Sequence, residues 1–188
     1  MTWLVLGIFL WSLVHFFPSF LPSVRAKLIR SVGMIPYKLL FTLVVFASLG
    51  LIIYGFRATE LAPWYVPPGW GRHAAMFLML IALMLFAAAR WESNIRRVLR
   101  HPQLSGAVVW SVAHLLANGE SRSVVLFAGL GLWALVQIVL LNARLAPDFR
   151  HEPRPWIRDA GCVLTGLVVY VALVFGHRYV AGIPLIGV

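Results

Sequence analysis

Six apolar segments, each close to the length of a membrane-spanning helix, dominate this sequence of 188 residues. A helix needs about 20 predominantly apolar residues to cross a bilayer, because each residue adds only about 1.5 Å. Hydrophobic residues make up 61% of the chain and charged residues 12%, which is about half the charged share of soluble domains. The predicted segments are 3–21, 39–56, 73–90, 103–117, 123–142 and 160–182. We therefore expect an all-α fold, a polytopic membrane helical bundle of about six transmembrane helices, forming a single domain over residues 1–188.

The basic residues lie between these segments and are divided unequally between the two sides of the membrane. The first, third and fifth loops hold twelve of the sixteen, namely Arg25, Lys27, Arg30, Lys38, Arg90, Arg96, Arg97, Arg100, Arg144, Arg150, Arg154 and Arg158. The other side holds Arg57, Arg72, Arg122 and Arg178. Because cytoplasmic loops carry the excess of Lys and Arg, we expect both termini to lie outside. The net charge of +10 is not gathered with aromatic residues on one face, so nucleic acid is not expected as a partner.

The acidic residues and the single cysteine exclude several classes of chemistry. All six carboxylates lie in predicted loops or at helix edges, so the sequence predicts no intramembrane carboxylate relay of the kind that proton-coupled transporters use. Cys162 alone forms neither an internal disulfide nor a thiolate-rich metal site. There is no glycine-rich nucleotide loop and no nucleophile elbow. These residues identify no catalytic group, and they leave open whether the chain is an enzyme.

Two of the six histidines, His15 and His114, fall well inside predicted segments. Imidazole is costly in lipid and is therefore expected to have a partner or a function. Around His114, Trp110 and Asn118 lie at i−4 and i+4 on the same helix face. We expect Asn118 to accept a hydrogen bond from Nδ1 and so fix the tautomer, as groups beside metal-binding histidines do. The alternative is a buried histidine bonded to a neighbouring helix.

His15 shares its face with Trp11 and Ser12 and lies above Gly7. A glycine there allows close approach of either a flat ligand or another helix, and both interpretations stay open. On the predicted boundaries His15 is about 18 Å below the outer end of its helix, and His114 is about 16 Å from the inner end of its own. These depths are compatible in a core of about 30 Å. The pair is thus a candidate set of axial ligands for one haem, for which neutral imidazole is a good donor.

The other histidines have weaker arguments for a site. His73 and His177 form a rival pair near the outer surface, although each adjoins an arginine and solvated rings are the simpler interpretation. Arg100 and His101 lie at the cytoplasmic edge, where they either bind an anion or maintain topology and contact lipid headgroups. His101 and His114 differ by about 220° around a straight helix, so one metal would not readily take both.

Several blocks of sequence together resemble a known family. They are the run 100–106 (Arg-His-Pro-Gln-Leu-Ser-Gly) with Trp110, Ala113-His114-Leu115 and Asn118-Gly119, and His15 followed by Arg25, Gly33, Pro36-Tyr37-Lys38 and Phe41. The chain resembles the NnrU family, and the same blocks resemble the plastid zeta-carotene cis-trans isomerases, which carry haem b. That resemblance implies haem b as cofactor, with His15 and His114 as metal ligands and Trp110 and Asn118 beside them. This chain departs from those relatives at Ser111, where they have a cysteine, and at Phe56, where they have a histidine.

The resemblance implies a multi-pass protein of the bacterial cytoplasmic (inner) membrane, linked to nitrogen-oxide metabolism or to haem-dependent redox or isomerase chemistry. Its partners would be the lipid bilayer and a redox partner or a lipid-soluble small molecule. Two alternatives remain. One is a non-catalytic membrane accessory protein without haem. The other is a membrane methyltransferase, because the Arg-His-Pro-x-x-x-Gly element at 100–106 resembles such enzymes, although residues 146–153 lack their second block.

Overall fold

The computed structural model describes residues 1–144 and 152–186, and these are folded almost entirely into helices. The all-α fold predicted from the sequence is confirmed. The helices are α1 (Thr2–Phe20), α2 (Pro22–Val32), α3 (Met34–Ala58), α4 (Gly71–Ala88), α5 (Ile95–Val98), α6 (Pro102–Ala117), α7 (Ser121–Asn142) and α8 (Trp156–Ala181).

Five helices are long and apolar enough to cross a membrane: α1, α3, α4, α7 and α8. The sixth predicted segment is α6, whose 16 residues span about 24 Å. This helix nevertheless packs beside both α4 and α7 within the bundle. The expected segments differ from these six helices by only a few residues at each end, which is the usual uncertainty of such boundaries.

Two helices lie where the sequence predicted loops. The first is α2, which starts with Pro22 in its first turn and stops at Gly33, whose φ of 89° an ordinary side chain rarely adopts. None of its residues is buried, and it carries Arg25, Lys27 and Arg30. The apolar stretches between these charges are too short for a spanning segment, so α2 was not predicted. They suit a helix that lies along the membrane surface. The second is the single turn α5.

The long helices pack as a series of neighbours in the order α3, α1, α7, α6, α4 and α8. Among the described residues α3 and α8 are the two ends of this series and do not pack against each other. Helix α7 therefore lies between α1 and α6. Large apolar side chains remain exposed along the outer helices, including Leu43 and Phe46 on α3 and Leu164 and Phe175 on α8. A lipid environment accounts for this exposure.

The contacts also fix the directions of the helices. Ile8 of α1 meets Gly129 of α7 near the start of both, so these two helices are parallel. A short turn joins α6 to α7, which makes α6 antiparallel to both. Near the other terminus, Arg72 at the start of α4 donates a hydrogen bond to the carbonyl of Leu185. Both described ends of the chain thus lie at one end of the bundle, here called the outer end. The opposite end, which carries most of the cations, is called the basic end.

Glycines set the distance between α1 and α3. A Cβ atom on Gly55 would lie 2.2 Å from the backbone nitrogen of Leu4, and one on Gly7 would lie 2.7 Å from the backbone nitrogen of Ile52. Backbones at this separation exclude any side chain. Gly7 therefore serves helix packing, which decides between the two interpretations of that residue.

At the outer end, the segment between α3 and α4 closes over the turn between α6 and α7. Trp64 and Tyr65 each donate a backbone hydrogen bond to the carbonyl of Gly119. The Tyr65 hydroxyl donates to the carbonyl of Leu115 and, at 2.9 Å, to that of Asn118. These bonds satisfy carbonyls that the end of a helix leaves without partners, and they hold the last turn of α6 in place.

Replacing Gly55 with alanine is expected to destabilise the protein, because the new Cβ meets the backbone of α1. Overpacking of this kind typically costs about 1–3 kcal/mol. Gly50 is the matched control, since it lies in the same helix and a Cβ added there would have open space within 4 Å. Thermal unfolding in detergent should show a lower Tm for Gly55→Ala and an equal or higher Tm for Gly50→Ala. Equal Tm changes in both variants would contradict the close α1–α3 contact.

The orientation in the membrane is testable with reporters. A cytoplasm-active reporter fused after Arg97, at the basic end, should give signal. The same reporter fused after Val188, which lies outside the described residues, should give none. The reversed pattern would overturn the prediction that both termini lie outside.

Candidate ligand site on the two sides of α7

His15 is held by its own helix and surrounded by aromatic rings. Its Nδ1 lies 2.8 Å from the carbonyl oxygen of Trp11, so the N–H of a neutral ring donates there. The Trp11 ring is 4.3 Å away, Trp133 of α7 is 5.2 Å away, and Phe41 of α3 is 5.8 Å away, centroid to centroid. With Nδ1 occupied by a carbonyl, Nε2 keeps its lone pair, which is the arrangement of a metal-binding imidazole.

His114 repeats this arrangement on α6. Its Nδ1 lies 2.9 Å from the carbonyl oxygen of Trp110. Its ring stacks on Phe127 of α7 at 4.3 Å and lies 5.0 Å from the Trp110 ring. The expected role of Asn118 is wrong: its side-chain amide donates to the backbone carbonyl of His114, at 2.8 Å, and not to the imidazole. The Trp110 carbonyl is the nearer acceptor because it lies one turn back, in the direction in which helical side chains lean.

The two histidines lie on different sides of α7. His15 contacts Trp133, whereas His114 contacts Phe127, and these α7 residues are six positions apart, about 9 Å along the helix axis. The structure brings both rings to α7, but it does not bring them into one cavity.

A cavity of about 410 Å³ opens beside His15 toward the basic end. Trp11 and His15 of α1 and Trp133 and Gln137 of α7 form its deeper part. Nearer the basic end it is bordered by Ala89, Arg96, His101, Pro102, Gln103, Leu104 and Leu141. Gln103 and His114 are eleven residues apart on α6 and differ by only about 20° around its axis. The α6 face that borders this cavity therefore continues to His114.

Three buried polar atoms around the cavity have no hydrogen-bond partner among the described residues. They are the indole nitrogens of Trp11 and Trp133 and the side-chain oxygen of Gln137. Gln137 is only 8% exposed, and its amide nitrogen already donates to the Ser19 hydroxyl at 2.9 Å. An unpaired buried polar group costs about 1–3 kcal/mol, so a polar ligand or water in the cavity would be stabilised by these atoms.

The cationic charge of the cavity comes from Arg96. Burial lowers the pKa of His101 below its usual range and the neighbouring Arg100 lowers it further, while a hydrogen bond to Asn142 opposes both. His101 is therefore expected to be neutral at physiological pH. No carboxylate of residues 1–144 or 152–186 borders the cavity, so an anionic group would meet Arg96 without competition from them.

Of the remaining predicted positions, His73 lies at the outer end, and His177 lies within electrostatic range of His114. His73 is exposed at the start of α4, and His177 of α8 has its Nδ1 2.8 Å from the carbonyl oxygen of Ile183. Within the described ranges, no three His, Cys, Asp or Glu side chains gather as a metal-binding group. The methyltransferase interpretation drew on residues 146–153, most of which, with Arg150 and His151, lie outside the described residues.

The contribution of α7 to the cavity beside His15 was not predicted from the sequence. Trp133 and Gln137 follow one another at i and i+4, and Gln137 is the only amide side chain of α7 before its final residue. A polar residue inside an apolar segment is a signal of function or of a polar partner, and the sequence contains this signal at Gln137. Phe127 gave no such signal, because a phenylalanine in a spanning helix is ordinary.

The donor set fits a haem iron better than a bare metal ion. Two imidazoles do not enclose a bare ion, whereas an iron that brings four porphyrin nitrogens would need no more than two protein ligands. The buried indole N–H groups and Arg96 suit the acceptor oxygens of the haem carboxylates. The aromatic rings beside both histidines suit the flat macrocycle.

Comparison with known proteins identifies the family of the chain. A stretch of 40 residues, 21% of the chain, is 48% identical to the 15-cis-zeta-carotene isomerase of Zea mays, a chloroplast protein. That stretch covers only 11% of the relative's length. No solved structure matches the chain. The model of the NnrU protein family matches residues 3–185, nearly the whole sequence. The chain therefore belongs to the NnrU family.

Proposed function

We propose that this protein is a haem b-binding protein of the bacterial cytoplasmic membrane, with His15 and His114 as axial ligands. Its chemistry would be isomerase-like or redox chemistry on a lipid-soluble substrate, or a step of nitrogen-oxide metabolism. The observation that carries the proposal is that both imidazoles make the same hydrogen bond within their own helix. In each ring Nδ1 faces the carbonyl four residues earlier, and Nε2 is left for a metal.

The surroundings of His15 support the same proposal. Trp11, Trp133 and Gln137 present buried polar atoms without partners among the described residues, and Arg96 adds a cation at the mouth of the cavity. Bound haem would supply an iron that changes oxidation state and, where one of the two imidazoles leaves it, would take a small ligand such as nitric oxide. The residues of the protein would hold it, exclude water from its faces and keep the imidazoles in the metal-binding tautomer.

The isomerase-like part of the proposal rests on the relative from Zea mays, whose name states its reaction. Ser111 and Phe56, where the plastid relatives differ, do not supply metal ligands here. Ser111 packs against Gly131, and Phe56 lies 4.5 Å below the Arg122 guanidinium. Any ligand exchange at the iron would therefore not involve these two positions.

Purified protein is expected to show an intense Soret band. His15→Ala and His114→Ala should each lower the haem content at least about tenfold, because each removes an iron ligand. His73→Ala is the matched control, since its ring is exposed at the outer end, and it should retain the full band. Absorption spectra of the oxidised and reduced forms, normalised to protein, measure this.

A Soret band retained in both His15→Ala and His114→Ala would contradict the ligand assignment. A wild-type protein without any Soret band, even when haem is supplied, would favour the non-catalytic accessory protein. One observation favours that alternative: Phe127 covers a face of His114, as in an ordinary packed histidine.

Membranes that contain the wild-type protein are expected to convert 15-cis-zeta-carotene, and His15→Ala membranes are not, because the proposed reaction needs the bound haem. Chromatography of the extracted pigments measures both isomers. If the wild type converts none of it but nitric oxide shifts the Soret band of the reduced protein, the nitrogen-oxide branch of the proposal is favoured over the isomerase branch.

A further inference from the structure

A second cavity, of about 290 Å³, lies at the basic end where α1, α2 and α3 meet. It is lined by Pro18, Arg25, Tyr37, Lys38, Phe41 and Thr42. Four of these six belong to the sequence blocks that resemble the NnrU family, and of these four only Phe41 adjoins the proposed haem site. Their convergence around one cavity, from two helices and 17 positions of sequence, calls for a separate role.

Arg25 of α2 and Lys38 of α3 both line this cavity. Gly33, with its φ of 89°, turns the chain from α2 into α3 and brings Arg25 back over the first turns of α3. The Arg25 guanidinium carbon lies 5.6 Å from the centre of the Tyr37 ring, and Tyr37 is only 7% exposed. Stacking on a buried ring orients the planar guanidinium and leaves its N–H groups available for an anion.

Neither cation forms an ion pair within the part of the chain that the structure describes. The segment 21–38 contains four basic residues and no Asp or Glu. The ion pair found among the described residues joins Arg154 and Glu92, neither of which lines this cavity. A partly buried guanidinium without a counter-charge is unfavourable, so an anion from outside the chain would be stabilised here. Hydroxyls of Tyr37 and Thr42 add hydrogen-bonding capacity to the lining.

Apolar side chains continue from the cavity toward lipid. Phe20, Leu21 and Val24 on one side and Leu39 on the other are 44–66% exposed. A small soluble anion gains no binding energy from exposed apolar side chains, whereas a lipid would place its acyl chains on them. Basic pockets between helices at the cytoplasmic side suit the headgroups of anionic lipids.

We propose that this cavity binds the phosphate of an anionic phospholipid, with Arg25 and Lys38 as the phosphate ligands. Arginine gives two parallel N–H···O bonds to phosphate, and lysine contributes a point charge. Phe41 lines the cavity and lies 5.8 Å from the His15 ring, so the lipid site adjoins the region of α1 that holds His15. The proposal does not depend on haem binding.

Native mass spectrometry of the full chain in a neutral detergent, titrated with phosphatidylglycerol, tests this site. The wild type should bind one lipid saturably, and Arg25→Gln and Lys38→Gln should each weaken that binding about tenfold, the effect expected for loss of a charged hydrogen bond. Lys27→Gln and Arg30→Gln are the matched controls, since they remove the same charge from positions of α2 that do not line the cavity. They should change the affinity less than about twofold, because solvated charges outside the cavity contribute little.

Arg25→Lys keeps the charge and should restore part of the affinity, which separates a binding defect from a folding defect. Glycerol phosphate is the second ligand tested, because it carries the phosphate without acyl chains. Weak or absent binding of glycerol phosphate supports a lipid, whereas tighter binding of it than of phosphatidylglycerol would overturn the lipid assignment. Equal losses in the Gln variants of Arg25 and Lys27, or no saturable lipid at all, would overturn the site itself.

Discussion

The close packing of α7 against both α1 and α6 determines the rest of this structure. Gly131 has no side chain, and a Cβ there would lie 2.9 Å from the Cβ of Ser111 on α6. On the other flank the Ile8 side chain fills the space beside Gly129. Helices in lipid gain little from the hydrophobic effect, so contacts between small residues drive their association. Because these contacts hold α1 and α6 on the two sides of one helix, both deep histidines meet α7.

The same packing explains how polar groups are tolerated in an apolar bundle. Each histidine satisfies Nδ1 within its own helix, at the carbonyl one turn earlier, and therefore needs no polar neighbour at that atom. Gln137 and Ser19 pair across the α1–α7 contact. Three polar atoms that stay without partners among the described residues gather around the cavity at His15, where a ligand or water would have access. The α1-facing side of α7 is therefore its more polar side.

Much of the fold was predictable from the sequence, because the apolar segments are long and the cations between them are unequally divided. The positions of His15 and His114 along their helices also followed from counting residues, His114 falling in the last turn of α6. Their common depth in the bilayer stays a prediction. The sequence did not predict α2, since a surface helix lacks the long apolar run of a spanning segment. It also misplaced the partner of His114: the choice between the Trp110 carbonyl and Asn118 depends on side-chain direction, which spacing alone leaves open. The contact of Trp133 with His15 depends on the packing of α7 against α1, which the sequence did not predict.

The most direct measurement of the central claim is electron paramagnetic resonance of the ferric protein, prepared with and without ¹⁵N-labelled histidine. We predict a low-spin iron whose spectrum shows coupling to two histidine nitrogens in the wild type, and a signal weakened at least about tenfold in His15→Ala and in His114→Ala, because each variant loses haem. An iron coupled to only one histidine, or one that keeps both couplings when either of these side chains is removed, would contradict this prediction.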